Sequence, residues 1–404
     1  MGRWGLAFLI CVFAAQARAD DALLKDLSAK LVAIRGTHPA TNEYDAGPEL
    51  IPIKHQIRLW IESELPKLGE HGDVDRLAKE LNQKLSSAGL MCGDPSAQKC
   101  GDGTPGDSFE PRGFVDDVHL SYLNSRYLLV RTNVGVLCGY DESAYVYAWR
   151  ENRWALFFET EQNDYRKGHY TPQNLFSVSI SAGKANQLPL VLTLGYSPWC
   201  QSAWQKLFAR LWRVSETNSS PPPIFDLTDV VYLNDDGPRE RLSDNDALFA
   251  FESSSVDGDV FTRTHVWHLA ANDRSARRLE PIALNPRDFV DEWLTRPWNE
   301  GVGWIDAAAH SPTFRGWYDR FHERGGIFGE FDGSALHCRS DKTLWQVGFT
   351  QQAGPHNPDL TAYFLVRWMA PYRFSLVDIR TSKSRDCDVK DPMRDNVGTL
   401  FPFR

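Results

Sequence analysis

Tyr145, Tyr147 and Trp149 alternate with Val146 and Ala148, and after the polar pair Glu151-Asn152 a second run, 154–159, leads back. Alternation with period two marks a strand with one buried face, and a short polar break between two such runs predicts a β-hairpin. Similar pairs recur at 175–181 with 188–196, at 204–214 with 230–233, and at 248–254 with 260–269. Further runs follow at 345–349, 363–368 and 374–379, and turn chemistry such as Asp235-Asp236-Gly237, Asp257-Gly258-Asp259 and Pro371 separates many of them. Serial hairpins without a fixed period predict a mainly β protein. The preferred architecture is β-propeller-like, with a β-sandwich as the alternative.

Two stretches carry a helical rhythm instead. In 20–90, Leu23, Leu24, Leu27, Leu31 and Ile34 form one apolar stripe, and Ile53, Ile57, Trp60 and Ile61 form another. Val74, Leu77, Leu81 and Leu85 form a third, between Asp73 as N-cap and Gly89 where a left-handed C-terminal cap is wanted. This segment is expected to be a helical cap on a main β domain, 113–404. A helical insertion at about 286–323 starts at Asn285-Pro286 with Asp288 in its first turn, and starts again at Ser311-Pro312. Residues 91–112, rich in Gly, Pro and acids, are expected to be a loop stapled by its own cysteines.

Residues 1–19 combine Arg3, an apolar run over 6–15 and the small-residue site Ala17-Arg18-Ala19, the pattern of a secretory signal peptide. The expected location is secreted or periplasmic, where thiols oxidise. Of the seven cysteines, Cys11 lies in this leader, and the other six are expected to pair as Cys92 with Cys100, Cys138 with Cys200 and Cys338 with Cys387. The apolar run is too short for stable membrane insertion. The net charge is -9, and about -11 without the leader, which argues against nucleic acid as a partner.

No nucleophile elbow, phosphate loop or C-x-x-C pair occurs. Ser143 lacks the G-x-S-x-G frame and is expected in a surface turn. His265 and His268 sit three apart on an expected strand and so face opposite sides, which excludes a shared metal. Asp244, Asn245, Asp246, Asp257 and Asp259 are read first as turn formers and second as calcium ligands, and no other cofactor is expected. Catalytic candidates are Asp141 with Glu142, and Glu159 with Glu161, the latter sharing a face if their strand persists. Tyr145, Trp149, Tyr165, Tyr170 and Trp199 could serve as sugar platforms. The stretch 161–170, with Asp164, Tyr165, Arg166, His169 and Tyr170, reads as a binding loop, joined by Trp199. The leading expectation is a binding or interaction protein for a glycan, peptide or protein. The alternatives are a secreted carboxylate-dependent hydrolase acting on carbohydrate and a structural envelope protein.

Overall fold

Glu151 and Asn152 adopt φ of 50° and 59°, and Arg150 pairs with Arg153 across them. Two consecutive left-handed residues make a type I′ turn, whose twist matches that of the strands it joins. The hairpin belongs to a computed structural model that describes residues 22–34, 48–91, 113–136, 139–163, 165, 172–183, 187–197, 203–233, 237–256, 262–278, 283, 285–309, 311–323, 327–333, 335–352, 358–370 and 373–390.

Four antiparallel sheets follow one another along the chain. The first joins β1 (Val115–Asn124), β2 (Tyr127–Val136), β3 (Gly139–Arg150) and β4 (Arg153–Thr160) in sequence order. The second does the same with β5 (Asn174–Ile180), β6 (Leu190–Ser197), β7 (Trp204–Arg213) and β8 (Phe225–Tyr232). The third joins β9 (Arg239–Leu242), β10 (Asp246–Ser254), β11 (Thr262–Ala270) and β12 (Ser275–Arg278). In the fourth, β13 (Gly329–Phe331) lies on β15 (Leu344–Gln351), and the main order is β17-β16-β15-β14-β18, from β14 (Leu336–Cys338), β16 (Leu360–Ala370), β17 (Arg373–Arg380) and β18 (Cys387–Lys390). The chain is mainly β, built of antiparallel hairpin sheets, with helices at the N-terminal side and in an insertion, and the described residues form no closed barrel. Consecutive four-stranded meanders are the connectivity of propeller blades and lack the crossovers of a Greek-key sandwich.

Helices occupy residues 22–34 (α1), Leu50–Glu64 (α2) and Val74–Ser87 (α3), and, after the third sheet, Pro286–Thr295 (α4), Trp298–Gly301 (α5) and Ser311–His322 (α6). Their ends follow the capping chemistry. The Asp73 carboxylate accepts from Arg76 N–H at 3.0 Å, Gly89 takes φ of 68°, and Asn285 Oδ1 accepts from Asp288 N–H at 2.9 Å ahead of Pro286.

The chain divides into two compact units, one of Met1–Asp229, Leu242–Ala247 and Leu269–Ser275, the other of Val230–Arg241, Leu248–His268 and Ala276–Arg404. In the first, α1, α2 and α3 pack Leu27, Leu31, Ile53, Ile57, Trp60, Leu77, Leu81 and Leu85 against one face of the first sheet. The other face, with Leu129, Ala144, Val146 and Phe158, joins Leu175, Val178, Val191 and Phe208 of the second sheet. The second unit has its own core, in which Phe289, Trp293 and Phe321 meet Phe349, Phe364 and Phe374.

Candidate functional site

Helix α2 reads Leu-Ile-Pro-Ile-Lys-His-Gln-Ile-Arg-Leu-Trp-Ile-Glu-Ser-Glu, and Lys54, Arg58 and Glu62 recur every fourth residue, so they form one stripe along the helix. Opposite them stands β3. Its residues alternate between sheet faces, so Asp141, Tyr145 and Tyr147 share the side on which α2 packs. A charged stripe thus meets a strand rich in acids and phenols, largely out of water.

Strand β4 supplies the rest through an irregularity. Trp154 and Leu156 pair with Trp149 and Tyr147 and pack on the helical side, but the register shifts between Val146 and Tyr147. One extra residue in β4 reverses the side on which its later side chains lie. Phe157 and Phe158 consequently both enter the core with the second sheet, and Glu159 comes to stand directly across from Tyr145. The strand ends at Thr160, so Glu161 reaches the same seam from the connection beyond it.

The contacts run from one end of the seam to the other. Lys54 Nζ lies 3.0 Å from Asp141 Oδ2, and both side chains are 0% exposed. Lys54 also donates to the Gln162 carbonyl and, at 2.7 Å, to Tyr165 Oη, while the Tyr165 hydroxyl donates to Asp141 Oδ2. Asp141 Oδ1 accepts from Gln173 N–H at 3.0 Å. Further along, Tyr145 donates to Glu161, Arg58 donates to Glu159, and Tyr147 donates to Glu62 at 3.3 Å. On the opposite sheet face, Glu142 is clamped by the Arg131 guanidinium and by Leu175 N–H at 2.7 Å.

These surroundings shift the titrating groups in understandable directions. Burial holds the Glu159 carboxyl above its ordinary range, against the pull of Arg58, with Glu161 and Glu62 adding to the rise. Burial likewise raises Glu142 although Arg131 and the Leu175 amide oppose it. The Tyr145, Tyr147 and Tyr165 hydroxyls all rise, first through burial and then through the carboxylates beside them. They act here as hydrogen-bond donors.

Several sequence expectations meet the structure at this seam. Asp141, Glu142 and Ser143 do not form a turn at the head of a hairpin; they lie within β3, buried at 0%, 3% and 0% exposure. The correction has a physical cause: each carboxylate has a cation and a backbone amide as partners, which lets it leave water. The residues that make this possible, Lys54, Arg131 and Gln173, are not among those the sequence patterns mark. The available signal is the spacing of Lys54, Arg58 and Glu62 within an otherwise apolar helix. Tyr165 has its hydroxyl inside the seam, whereas Asp164, Arg166, His169, Tyr170 and Trp199 lie outside the described residues. His265 is buried on β11, with its ring edge against Phe251, and His268 is half-buried. Asp244 and Asn245 act as turn acceptors, for Gly183 N–H and for the Gln187 and Asn272 amides, and Asp246 accepts from Ser243; Asp257 and Asp259 lie outside the described residues.

Cys338 and Cys387 stand directly across from each other on β14 and β18 and form a disulfide. Asp386 lies beside them, yet both sulfurs are bound to each other, which removes the thiolates a metal would need. Cys92, Cys100, Cys138 and Cys200 fall outside the described residues. Among the described residues no helix is long and apolar enough to cross a membrane.

No family model and no curated protein matches the chain. Among solved structures, similarity extends to a protein from a BT0996–RGII complex, with 7% identity over 65% of this chain and 72% of that one. Its TM-score of 0.23 is too low for the likeness to carry an argument about fold or function.

Proposed function

We propose that the protein is an exported binding protein, secreted or periplasmic, whose β scaffold presents the 161–170 loop to a glycan, peptide or protein partner. The observation that carries this reading is the state of the acids. Asp141 is held by Lys54, Tyr165 and Gln173, Glu142 by Arg131 and Leu175, Glu159 by Arg58 and Glu161 by Tyr145. A carboxylate that must protonate a leaving group or attack a substrate needs open access, and Asp141 and Glu142 have almost none. Within the 161–170 stretch Tyr165 is tied through its hydroxyl to a helix and a strand at once. A side chain already held before a partner arrives loses less freedom when the partner binds. Export is supported by the leader pattern of residues 1–19 and by the Cys338–Cys387 disulfide.

A second reading, carbohydrate hydrolysis, draws on Glu159, whose side chain is 22% exposed and whose acidity is weakened by burial and by Glu161 and Glu62. One experiment separates the two. The purified protein is applied to glycan and peptide arrays and, in parallel, to a panel of chromogenic glycosides and polysaccharides. Specific binding without turnover supports a binding protein. Turnover that Glu159→Gln abolishes, with the fold intact, replaces it with a hydrolase.

A further inference from the structure

We propose that Lys54 and Asp141 condense to an intramolecular amide, a covalent bond between α2 and β3. The two side chains are in contact at 3.0 Å, are both 0% exposed, and come from positions 87 residues apart. Two further contacts suit condensation. The Tyr165 hydroxyl accepts from Lys54 Nζ at 2.7 Å and donates to Asp141 Oδ2, so it bridges the nucleophile and the oxygen that would leave. Gln173 N–H, 3.0 Å from Asp141 Oδ1, is placed where charge develops in a tetrahedral intermediate.

The chemistry balances without another reactant. Proton transfer from the Lys54 ammonium to the Asp141 carboxylate, in contact at 3.0 Å, gives the neutral amine and neutral acid from which condensation starts. Lys54 Nζ then attacks Asp141 Cγ, forming the C–N bond, and Oδ1 carries the negative charge opposite Gln173 N–H. Tyr165 passes one proton from the nitrogen to Oδ2 and is restored. The Cγ–Oδ2 bond breaks, and Oδ2 departs as water with that proton and the one it already held. The remaining N–H of the amide keeps the Gln162 carbonyl as its acceptor. Exclusion of solvent and fixed proximity drive a dehydration that free amines and acids in water do not undergo.

Mass spectrometry of the reduced, denatured wild-type protein tests this directly, followed by a tryptic map. The expected result is a mass one water below that of the open chain, with no cleavage after Lys54 and a branched peptide joining the segments around Lys54 and Asp141. Lys54→Arg restores the lost water. Asp141→Asn, which keeps the shape of the site, loses ammonia instead, and Tyr165→Phe slows the bond's appearance. A full-mass wild-type chain that trypsin cuts normally after Lys54 overturns the proposal and leaves the pair as an ion pair. Because binding and turnover are not read in this experiment, its failure leaves the proposed function untouched.

Discussion

Glu64 shows how a single carboxylate sets pH behaviour in this chain. Its side chain is 0% exposed, with Lys67 and Lys84 each at 2.6 Å. Burial works to raise it, but the two lysine hydrogen bonds prevail and hold it below its ordinary 4.5. A carboxyl whose folded value is depressed contributes stability that is complete above the unfolded value and disappears as pH falls through the folded one. Glu64→Gln is therefore expected to cost about 1–2 kcal/mol at neutral pH, discounted for the partly exposed lysines, and to flatten the loss of stability below pH 4.5. Urea titrations at a series of pH values check this, and parallel acid limbs in variant and wild type would contradict it. Glu159 and Glu142 behave with the opposite sign, since their raised values make the folded state the better proton acceptor on acidification. None of this is legible from sequence, where an Asp or Glu carries no mark of its partners. Asp141 and Glu142 resemble solvated turn acids because the cations that neutralise them sit on other elements, Lys54 on α2 and Arg131 on β2.

At the scale of elements the sequence is far more readable. The hairpin at Glu151-Asn152, the capped helix after Asp73 and the start at Asn285-Pro286 all obey local rules, and local rules act on neighbouring residues. Strands β1 and β2 do not stand out in the sequence, and β2 shows why. Leu128, Leu129 and Val130 are all buried, because one sheet face packs on the helices and the other on the second sheet. A strand covered on both sides loses its alternation. The register shift in β4 is equally hidden, although it decides that Glu159 points toward α2. The turn itself retains some strain, since Glu151 is held at φ of 50°, where a glutamate side chain crowds its own backbone. Glu151→Gly is expected to stabilise the protein by roughly 0.5–1 kcal/mol in thermal unfolding. A lower melting temperature would show that the Glu151 side chain contributes more than its backbone strain removes.

For the molecule as a whole, order along the chain stands in place of long-range pairing. The first three sheets use consecutive strands only, which is why serial hairpins can be read as a mainly β architecture before any contact is known. The fourth sheet breaks the pattern, with β18 returning to β14 across 49 residues, and the disulfide joins these two short strands at that point. Cys338 and Cys387 are buried at 0% and 2% exposure, so the bond works as a structural cross-link out of reach of solvent reductants. Replacing both by Ser is expected to lower stability by about 2–4 kcal/mol, measured by chemical denaturation under oxidising conditions. A double variant as stable as the wild type would mean that the strand pairing alone holds the sheet edge.

The buried carboxylates of the first sheet, Asp141 and Glu142, serve the fold. Active-site acids tend to be held at a cost, so their removal often leaves a protein as stable as before or more so. Asp141→Ala leaves Lys54 buried with its charge partner gone, a change expected to cost about 3–5 kcal/mol. The urea midpoint of Asp141→Ala is the deciding measurement: a clear fall is predicted, and a midpoint at or above that of the wild type would contradict a structural role for this carboxylate.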